Sequence, residues 1–373
     1  MMKLLHTPEG VRDIYGNEYA RKLWVEGVIK KQLNSYGYMD IMTPTFEYFD
    51  VFAREIGTTP SKDLFKMIDG DGNTLVLRPD FTPGVARCAA KYFGDTDTPL
   101  RFCYHGNTYT NTSSLQGKLK EVTQMGVELI GDDSIHAEAE TIALAIEALL
   151  AAGLLEFQIS IGEVEYFKGI CEAAGIDAQM EAKLRDLISE KNIFGVEEVL
   201  LEAGADDKSR EQLLRITDLL GTQEILAQAS EEAGNQRSQA AVLRLCELYK
   251  VLGEYGVDKY VAFDLGMLSH YNYYTGIIFK CYAYGVGDVI AKGGRYDNLL
   301  EQFGEKKAAV GFAFTIDALM AALYRQRVLI KETATDTVEY SHDFADQLNA
   351  VKERRRAGEQ VALNPGKATE DQR

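Results

Sequence analysis

The chain has 373 residues, of which 40 are Lys or Arg and 57 are Asp or Glu, so its formal net charge is −17. This length excludes a short peptide or a bare motif module and suits a core of catalytic size with a smaller second region. The acidic balance disfavours nonspecific attraction to nucleic acid or to an anionic membrane, and we expect neither as a partner.

Hydrophobic residues make up 46% of the chain, which predicts a folded core. The longest apolar stretches, such as residues 142–155, are shorter than the roughly 20 residues of a membrane helix. The N-terminus lacks the apolar run of a secretory signal, so we expect a cytoplasmic protein. Five cysteines without a Cys-x-x-Cys pair and five scattered histidines predict neither disulfides nor a metal site, and we expect no cofactor.

The first elements alternate helices with extended segments. Apolar residues recur every three to four positions from Asn17 to Tyr36, which predicts an amphipathic helix that ends at Gly37. Pro44 disfavours helix before it, so residues 41–48 predict an extended segment with a strand ending at Pro44. Residues 62–78 predict a hairpin around an Asp-Gly turn, with Arg78 at its exit.

The middle of the chain continues this alternation and then becomes helical. Patterning predicts a helix over 81–93, with Thr82 as a possible cap, and the following elements in order: strands over 101–109 and 121–131, a helix over 134–153 and a strand over 157–163. From 166 to 255 the composition shifts to Glu, Ala, Leu, Lys and Gln with helical periodicity, which predicts an inserted helical subdomain.

Strand character returns at 261–265, 277–284 and 289–292, followed by a predicted helix over 312–325. The fold class is therefore α+β, a mostly antiparallel sheet with flanking helices over residues 1–330. After a linker, residues 336–340, 342–356 and 360–363 predict strand, helix and strand, a βαβ unit. We expect this tail, residues 331–373, to be too short for an independent domain.

Four segments carry a family resemblance, and they are Thr7–Asp13, Pro44–Glu47, Leu77–Thr82 and Gly293–Asp297. In order and spacing they resemble the class II histidyl-tRNA synthetases, over residues 1 to about 330. The resemblance implies the class II fold, with an antiparallel sheet whose one face carries the active site and with a dimer interface around Pro44. It also implies that residues 331–373 are a truncated remnant of an anticodon-binding-like α/β domain.

The chain departs from that family where ATP is bound. The family pattern has arginines at positions that are occupied here by Thr110, Ser113, Ser269 and Ala318, and Thr112 replaces a glutamate between the first two. Because positioned cations supply most of the stabilisation in phosphoryl chemistry, we expect little or no adenylation and no catalytic residue. If the alignment of the variable loop were shifted, Lys118 or Lys120 would be the candidate phosphate contacts.

The amino-acid pocket of the family is retained in part. The resemblance implies that Asp80, Thr82 and Gln124 hold a substrate ammonium, and that Glu128 and Tyr274, the second tyrosine of the Tyr273-Tyr274 pair, recognise an imidazole ring. Asp80 is shorter by one methylene than the glutamate of the family. Because Ser269 stands where the family has an arginine that binds the substrate carboxylate, Arg295 or a backbone amide is the candidate for that role here. The implied histidine site therefore comprises Asp80, Thr82, Gln124, Glu128, Tyr273, Tyr274 and Arg295.

Each of these residues also has a purely structural alternative. Asp80 could cap the helix that follows it, Glu128 could pair with a lysine, and Tyr273 and Tyr274 could pack on the sheet. Arg295 is as well explained by an ion pair that stabilises the fold. The tail residues 354–356, three arginines, suit the end of a helix because cations complement its dipole.

A synthetase-like core with an amino-acid pocket and without its ATP arginines resembles the family of regulatory subunits of ATP phosphoribosyltransferase. The resemblance implies a short-form catalytic subunit as partner, L-histidine as effector and a homodimer within a hetero-oligomer. In this family the subunit activates the catalytic chain and conveys histidine feedback inhibition in the first step of histidine biosynthesis. Two alternatives remain open here, an active histidyl-tRNA synthetase and a stand-alone histidine-binding sensor.

Overall fold

The computed structural model describes residues 5–53, 59–112, 118–269, 274–330, 336–340 and 344–365. Its contacts divide the chain into two compact units. Unit 1 comprises Met1–Asp13 and Val25–Val328, and unit 2 comprises Ile14–Trp24 and Leu329–Arg373.

Over residues 16–163 the helices and strands follow the predicted order closely. In chain order they are α1 (Gly16–Ser35), β1 (Met39–Asp40), β2 (Phe46–Tyr48), α2 (Asp50–Ala53), β3 (Lys66–Ile68), β4 (Thr74–Leu77), α3 (Thr82–Phe93), β5 (Leu100–Tyr109), β6 (Glu121–Ile130), α4 (Ile135–Ala151) and β7 (Phe157–Glu163). The hairpin between β3 and β4 is confirmed, and the Asp69 side chain accepts hydrogen bonds from the backbone of its turn.

The predicted helical insertion is present directly after β7. It consists of α5 (Val164–Ala173), α6 (Ala178–Ser189), α7 (Ile193–Glu202), α8 (Asp207–Arg215), the short strand β8 (Leu220–Gly221), α9 (Glu224–Glu232) and α10 (Gln236–Glu254). Side chains of Asp177, Asn192, Asp206 and Asn235 cap four of these helices, which is why the segment divides where it does. Helix α10 packs on α4 and α5.

The remaining elements complete the sheet and form unit 2. They are β9 (Val261–Asp264), β10 (Ile277–Ala283), β11 (Ala291–Arg295), β12 (Ala309–Thr315), α11 (Ile316–Arg325), β13 (Asp336–Tyr340), α12 (Phe344–Arg356) and β14 (Val361–Pro365). In unit 2, β13 and β14 pair in parallel around α12, which confirms the βαβ prediction. The helix-end arginines act within this unit, since Arg354 pairs with Asp336 at 2.6 Å.

One nine-stranded sheet dominates unit 1, in the order β1-β5-β6-β12-β11-β10-β7-β9-β8. Its central pairs are antiparallel, while β1 with β5 and β7 with β9 are parallel, so the predicted α+β class is confirmed. Helix α4 packs against β6, β11 and β12. We call the side of the sheet that α4 covers the helix face and the opposite side the cavity face.

Three predictions of secondary structure are wrong in detail. No strand ends at Pro44; β1 and β2 flank it, because proline cannot donate to a ladder and the carbonyls of Thr43 and Pro44 instead accept hydrogen bonds from Arg78. Residues 312–315 are not helical but belong to β12, whose alternate residues face opposite sides of the sheet. The strand predicted at 289–292 begins at Ala291 and runs on to Arg295 as β11, so it includes the Gly-Gly-Arg segment.

Candidate functional site

A cavity of about 400 Å³ lies on the cavity face within unit 1. Its floor is the sheet from β6 to β10, and the end of α6 and the loop after β9 also line it. The structure brings four of the predicted histidine-site residues into this lining, namely Asp80, Thr82, Glu128 and Tyr274. Tyr273 lies outside the described residues.

Thr82 joins the two carboxylates at what we call the acidic end of the cavity. It is the first residue of α3, and its hydroxyl donates to Glu128 Oε1 at 2.7 Å. Its backbone N–H donates to Asp80 Oδ1 at 3.3 Å, so Asp80 does serve the first turn of the helix, as the structural alternative supposed. Two carboxylates thereby face one small space, which favours a positively charged or donor-rich ligand.

Glu128 is the most deeply buried acid of the cavity, with 1% of its surface exposed. Besides Thr82, the hydroxyls of Tyr104 and Tyr296 donate to its carboxylate. Burial raises the pKa of Glu128 to about 8, the hydrogen bonds from Tyr296 and Thr82 oppose this rise, and the charge of Asp80 adds to it. Glu128 is therefore mostly protonated near neutral pH.

Glycines make room for this arrangement. Across the sheet Glu128 pairs with Gly311, which pairs with Gly294. A Cβ on Gly311 would collide with the Glu128 carboxylate, and a Cβ on Gly294 would collide with the Tyr274 ring. Burial, then the charges of Asp80 and Glu128, raises the pKa of the Tyr274 hydroxyl, so this tyrosine lies close to both acids.

Gln124 and Arg295 do not lie among the lining residues. Gln124 is buried on β6, and its Oε1 has no hydrogen-bond partner among the described residues. Arg295 projects to the helix face, where its guanidinium donates to Glu138, to Asp297 and to the carbonyls of two residues just before α4, Asp132 and Ser134. This engagement favours the ion-pair alternative for Arg295 over a ligand contact.

Two contributors to the site were missed by sequence reasoning, Tyr104 and Tyr296. Tyr296 lies inside the Gly-Gly-Arg-Tyr-Asp segment, so the motif could have indicated that it belongs to the site. Tyr104 lies on β5, and its ring stacks on Phe81 with centroids 4.4 Å apart. No pattern in the sequence indicated that its hydroxyl would meet Glu128, because that contact depends on the pairing of β5 with β6.

The acidic end has no cationic partner within the described ranges, since no Lys or Arg there forms an ion pair with Asp80 or Glu128. Of the positions where the synthetase pattern has arginine, Ser269 lines the cavity, Ala318 lies on α11 and Ser113 lies outside the described residues. Lys118 and Lys120 are not among the lining residues; the Lys120 side chain packs against Gly10.

Within the part of the chain that the structure describes, no group of three or more His, Cys, Asp or Glu side chains is arranged to hold a metal ion. None of the helices there combines the length and the apolar character that crossing a membrane requires.

Comparison with known proteins places this geometry in a class. A family model described as histidyl-tRNA synthetase matches residues 10–319. The solved histidyl-tRNA synthetase of Nostoc sp. PCC 7120 superposes with a TM-score of 0.81 at 20% identity, covering 98% of this chain and 87% of that one, which supports the fold. The class is thus the histidyl-tRNA synthetase-like proteins.

Nearer relatives carry a more particular name. The ATP phosphoribosyltransferase regulatory subunit of Acetivibrio thermocellus is 42% identical over 334 residues, which are 90% of this chain and 80% of that protein. A solved structure from Bacillus halodurans, described as an ATP phosphoribosyltransferase regulatory subunit/histidyl-tRNA synthetase, has a TM-score of 0.89 at 33% identity and covers 99% of this chain and 95% of that one. The chain belongs to the family of ATP phosphoribosyltransferase regulatory subunits.

Proposed function

We propose that this chain is a non-catalytic subunit that activates a short-form ATP phosphoribosyltransferase catalytic chain and conveys histidine feedback inhibition to it. The observation that carries the proposal is the acidic end of the cavity, Asp80 and Glu128 joined by Thr82, in a chain whose relatives bear the regulatory-subunit name. The proposal includes a cytoplasmic location, a homodimer formed around Pro44 within a hetero-oligomer, and a domain boundary near residue 330.

Histidine suits the acidic end because it brings both an ammonium and an imidazole. Asp80 and Thr82 are the contacts for the ammonium, with Gln124 Oε1 an unpartnered acceptor, within the described residues, on the same β6 as Glu128. Glu128 and Tyr274 are the contacts for the ring. An imidazole has an ordinary pKa of about 6.5, and Glu128 one of about 8, so the pair shares a titration range and can exchange a proton on binding.

The loss of the arginines supports a regulatory and not an adenylating role. Ser269 is polar but uncharged at the cavity wall, and Ala318 brings no charge at all. An active histidyl-tRNA synthetase is therefore the less favoured alternative. A stand-alone histidine sensor differs from the proposal only in lacking the catalytic partner.

Histidine binding is tested by titration calorimetry on the Glu128→Gln variant. We expect histidine to bind about 10- to 100-fold more weakly, since a charge-assisted hydrogen bond is worth about 1.5–3 kcal/mol. Glu163→Gln is the matched control: Glu163 is equally buried and has its pKa raised to about 8, chiefly by burial, but it lies outside the cavity lining. Equal losses in both variants, or none in either, would refute the assignment of the pocket.

The partner is tested by mixing the purified chain with a short-form catalytic subunit and measuring ATP-dependent pyrophosphate release. We expect the chain to raise the rate and histidine to lower it again. Glu128→Gln should still raise the rate but lose the response to histidine. If the chain binds histidine and never changes the rate, the sensor alternative holds in place of the proposal.

A further inference from the structure

Three lysines line the same cavity as the two acids: Lys191, Lys280 and Lys292. Lys280 on β10 and Lys292 on β11 are directly paired across the two strands. Paired residues on neighbouring antiparallel strands project to the same face with Cβ atoms about 5 Å apart. The side chains of Lys280 and Lys292 therefore project side by side from the floor of the cavity, and their like charges repel.

Little within the described residues neutralises this pair. No carboxylate there forms an ion pair with Lys280 or Lys292, and Asp264 is the one acid that lines this part of the cavity. Burial lowers the pKa of Lys280, the charge of Asp264 opposes this, and the charge of Lys292 adds to it. Asp264 is also close to Lys191, which follows α6, so this one acid is shared by Lys191 and Lys280.

The lysines lie apart from the acidic end. Glu128, Gly311 and Gly294 form one row across the sheet, and Lys292 with Lys280 belongs to the row two residues further along. Rows two residues apart are separated by about 7 Å, and β6 and β11, two strands apart, by about 10 Å. A cavity of 400 Å³ is of a size that takes drug-sized ligands, so a bound amino acid at the acidic end leaves space over the lysines.

We propose that this basic end of the cavity, formed by Lys280, Lys292 and Lys191, binds a phosphate-bearing anion. Two adjacent ammonium groups match a dianion better than a single carboxylate, and lysine binds phosphate as a point charge that needs no fixed fork geometry. Phosphate oxygens between Lys280 and Lys292 remove their mutual repulsion. The basic end does not depend on histidine as the occupant of the acidic end, so the two proposals can fail separately.

The proposal is tested by calorimetric titration of the whole chain with inorganic pyrophosphate and with inorganic phosphate at low ionic strength. We expect saturable binding that weakens as salt is added, because exposed charge pairs are screened. Lys280→Gln and Lys292→Gln should each weaken pyrophosphate binding by at least about tenfold, and Lys292→Arg should retain it. Lys183→Gln is the control, since this lysine of α6 is 59% exposed and outside the lining.

A melting experiment separates a lost site from a misfolded chain. In phosphate-free buffer the Lys280→Gln and Lys292→Gln variants should melt at or above the temperature of the parent chain, because one repelling charge is gone. Pyrophosphate should raise the melting temperature of the parent chain but not of these variants. Absence of saturable pyrophosphate binding, or an equal loss in Lys183→Gln, would overturn the proposal. Retained pyrophosphate binding in Glu128→Gln confirms that the two ends are independent.

Discussion

Two buried acids on opposite faces of the central sheet, Glu138 and Glu128, differ in their partners. On the helix face, Glu138 is fully buried and paired with two arginines, Arg295 and Arg244, the latter at 2.7 Å. On the cavity face, Glu128 is almost as deeply buried, but its described partners are hydroxyls. The charge of Glu138 is balanced by arginines of the same chain. Glu128 is hydrogen-bonded but has no positively charged partner among the described residues, as expected for a side chain that binds a cationic ligand.

The difference follows from where each acid stands in the fold. Glu138 lies in the first turn of α4, where Arg295 from β11 and Arg244 from α10 converge. These ion pairs connect β11, α4 and α10, so they stabilise the fold. Glu128 lies over a glycine, and small residues around it keep volume free.

The largest effect is expected from Arg295→Ala. Removing one member of a buried ion pair costs up to about 3–5 kcal/mol of unfolding free energy, and the buried Glu138 would keep only its partly exposed partner Arg244. Urea denaturation measures this loss. At temperatures where the variant is folded, its histidine affinity should equal that of the parent chain. If the variant were stable but no longer bound histidine, Arg295 would instead be a ligand contact.

A smaller effect is expected from Gly311→Ala. The added methyl would meet the Glu128 carboxylate and the Val127 carbonyl, and overpacking of this kind costs about 1–3 kcal/mol. Histidine binding should weaken as well, since Glu128 must move. Gly287→Ala is the control because a Cβ there meets nothing within 4 Å. Equal stability of the two variants in urea would contradict the packing of Glu128 on Gly311.

The unpaired acid also predicts a pH dependence of stability. Burial raises the pKa of Glu128 from 4.5 to about 8, so between these values the folded chain holds a proton that the unfolded chain has released. The contribution of Glu128 to stability must therefore fall as pH rises through this range, by at most about 1.4 kcal/mol per pH unit. Denaturation curves of Glu128→Gln should show a shallower fall than those of the parent chain. An unchanged slope would mean that Glu128 is ionised throughout.

The smallest effect is expected from Arg237→Ala. Arg237 bridges Glu165 and Glu172 at 2.7 and 2.8 Å, but its side chain is 40% exposed. Exposed pairs contribute about 0–1 kcal/mol, and salt screens them. Urea denaturation at low and high salt should show a small loss that disappears as salt is added. A loss comparable with that of Arg295→Ala would show that burial does not distinguish the two networks.

The sequence is most informative where local pattern decides structure. The hairpin of β3 and β4, the capped helices of the insertion and the βαβ unit all have turn or capping residues that act over a few positions. Residues 312–315 are mistaken for helix because the run Gly311–Ile316 is almost wholly apolar, so hydropathy alone shows no strand period. The alternation of small residues with Phe312, Phe314 and Ile316 is the strand signal that was missed, and the run lies between β6 and β11 in the sheet.

The candidate site was predictable to a similar degree. The motifs indicated Asp80, Thr82, Glu128 and Tyr274, because each stands in a family segment or at a fixed spacing from one. The lysines of the basic end were not identified, although Lys280 interrupts the otherwise apolar β10. Their juxtaposition depends on the register of β10 against β11, which one sequence does not reveal.

Lys191 has a consequence for engineering the stability of this chain. It follows α6 in the left-handed region, with φ at 57°, where a residue with a side chain is disfavoured by roughly 1 kcal/mol relative to glycine. Lys191→Gly is thus an obvious stabilising substitution on backbone grounds. It would also remove a cation from the wall of the cavity. Lys191→Gly would therefore raise the stability of the chain and at the same time reduce the positive charge of the cavity.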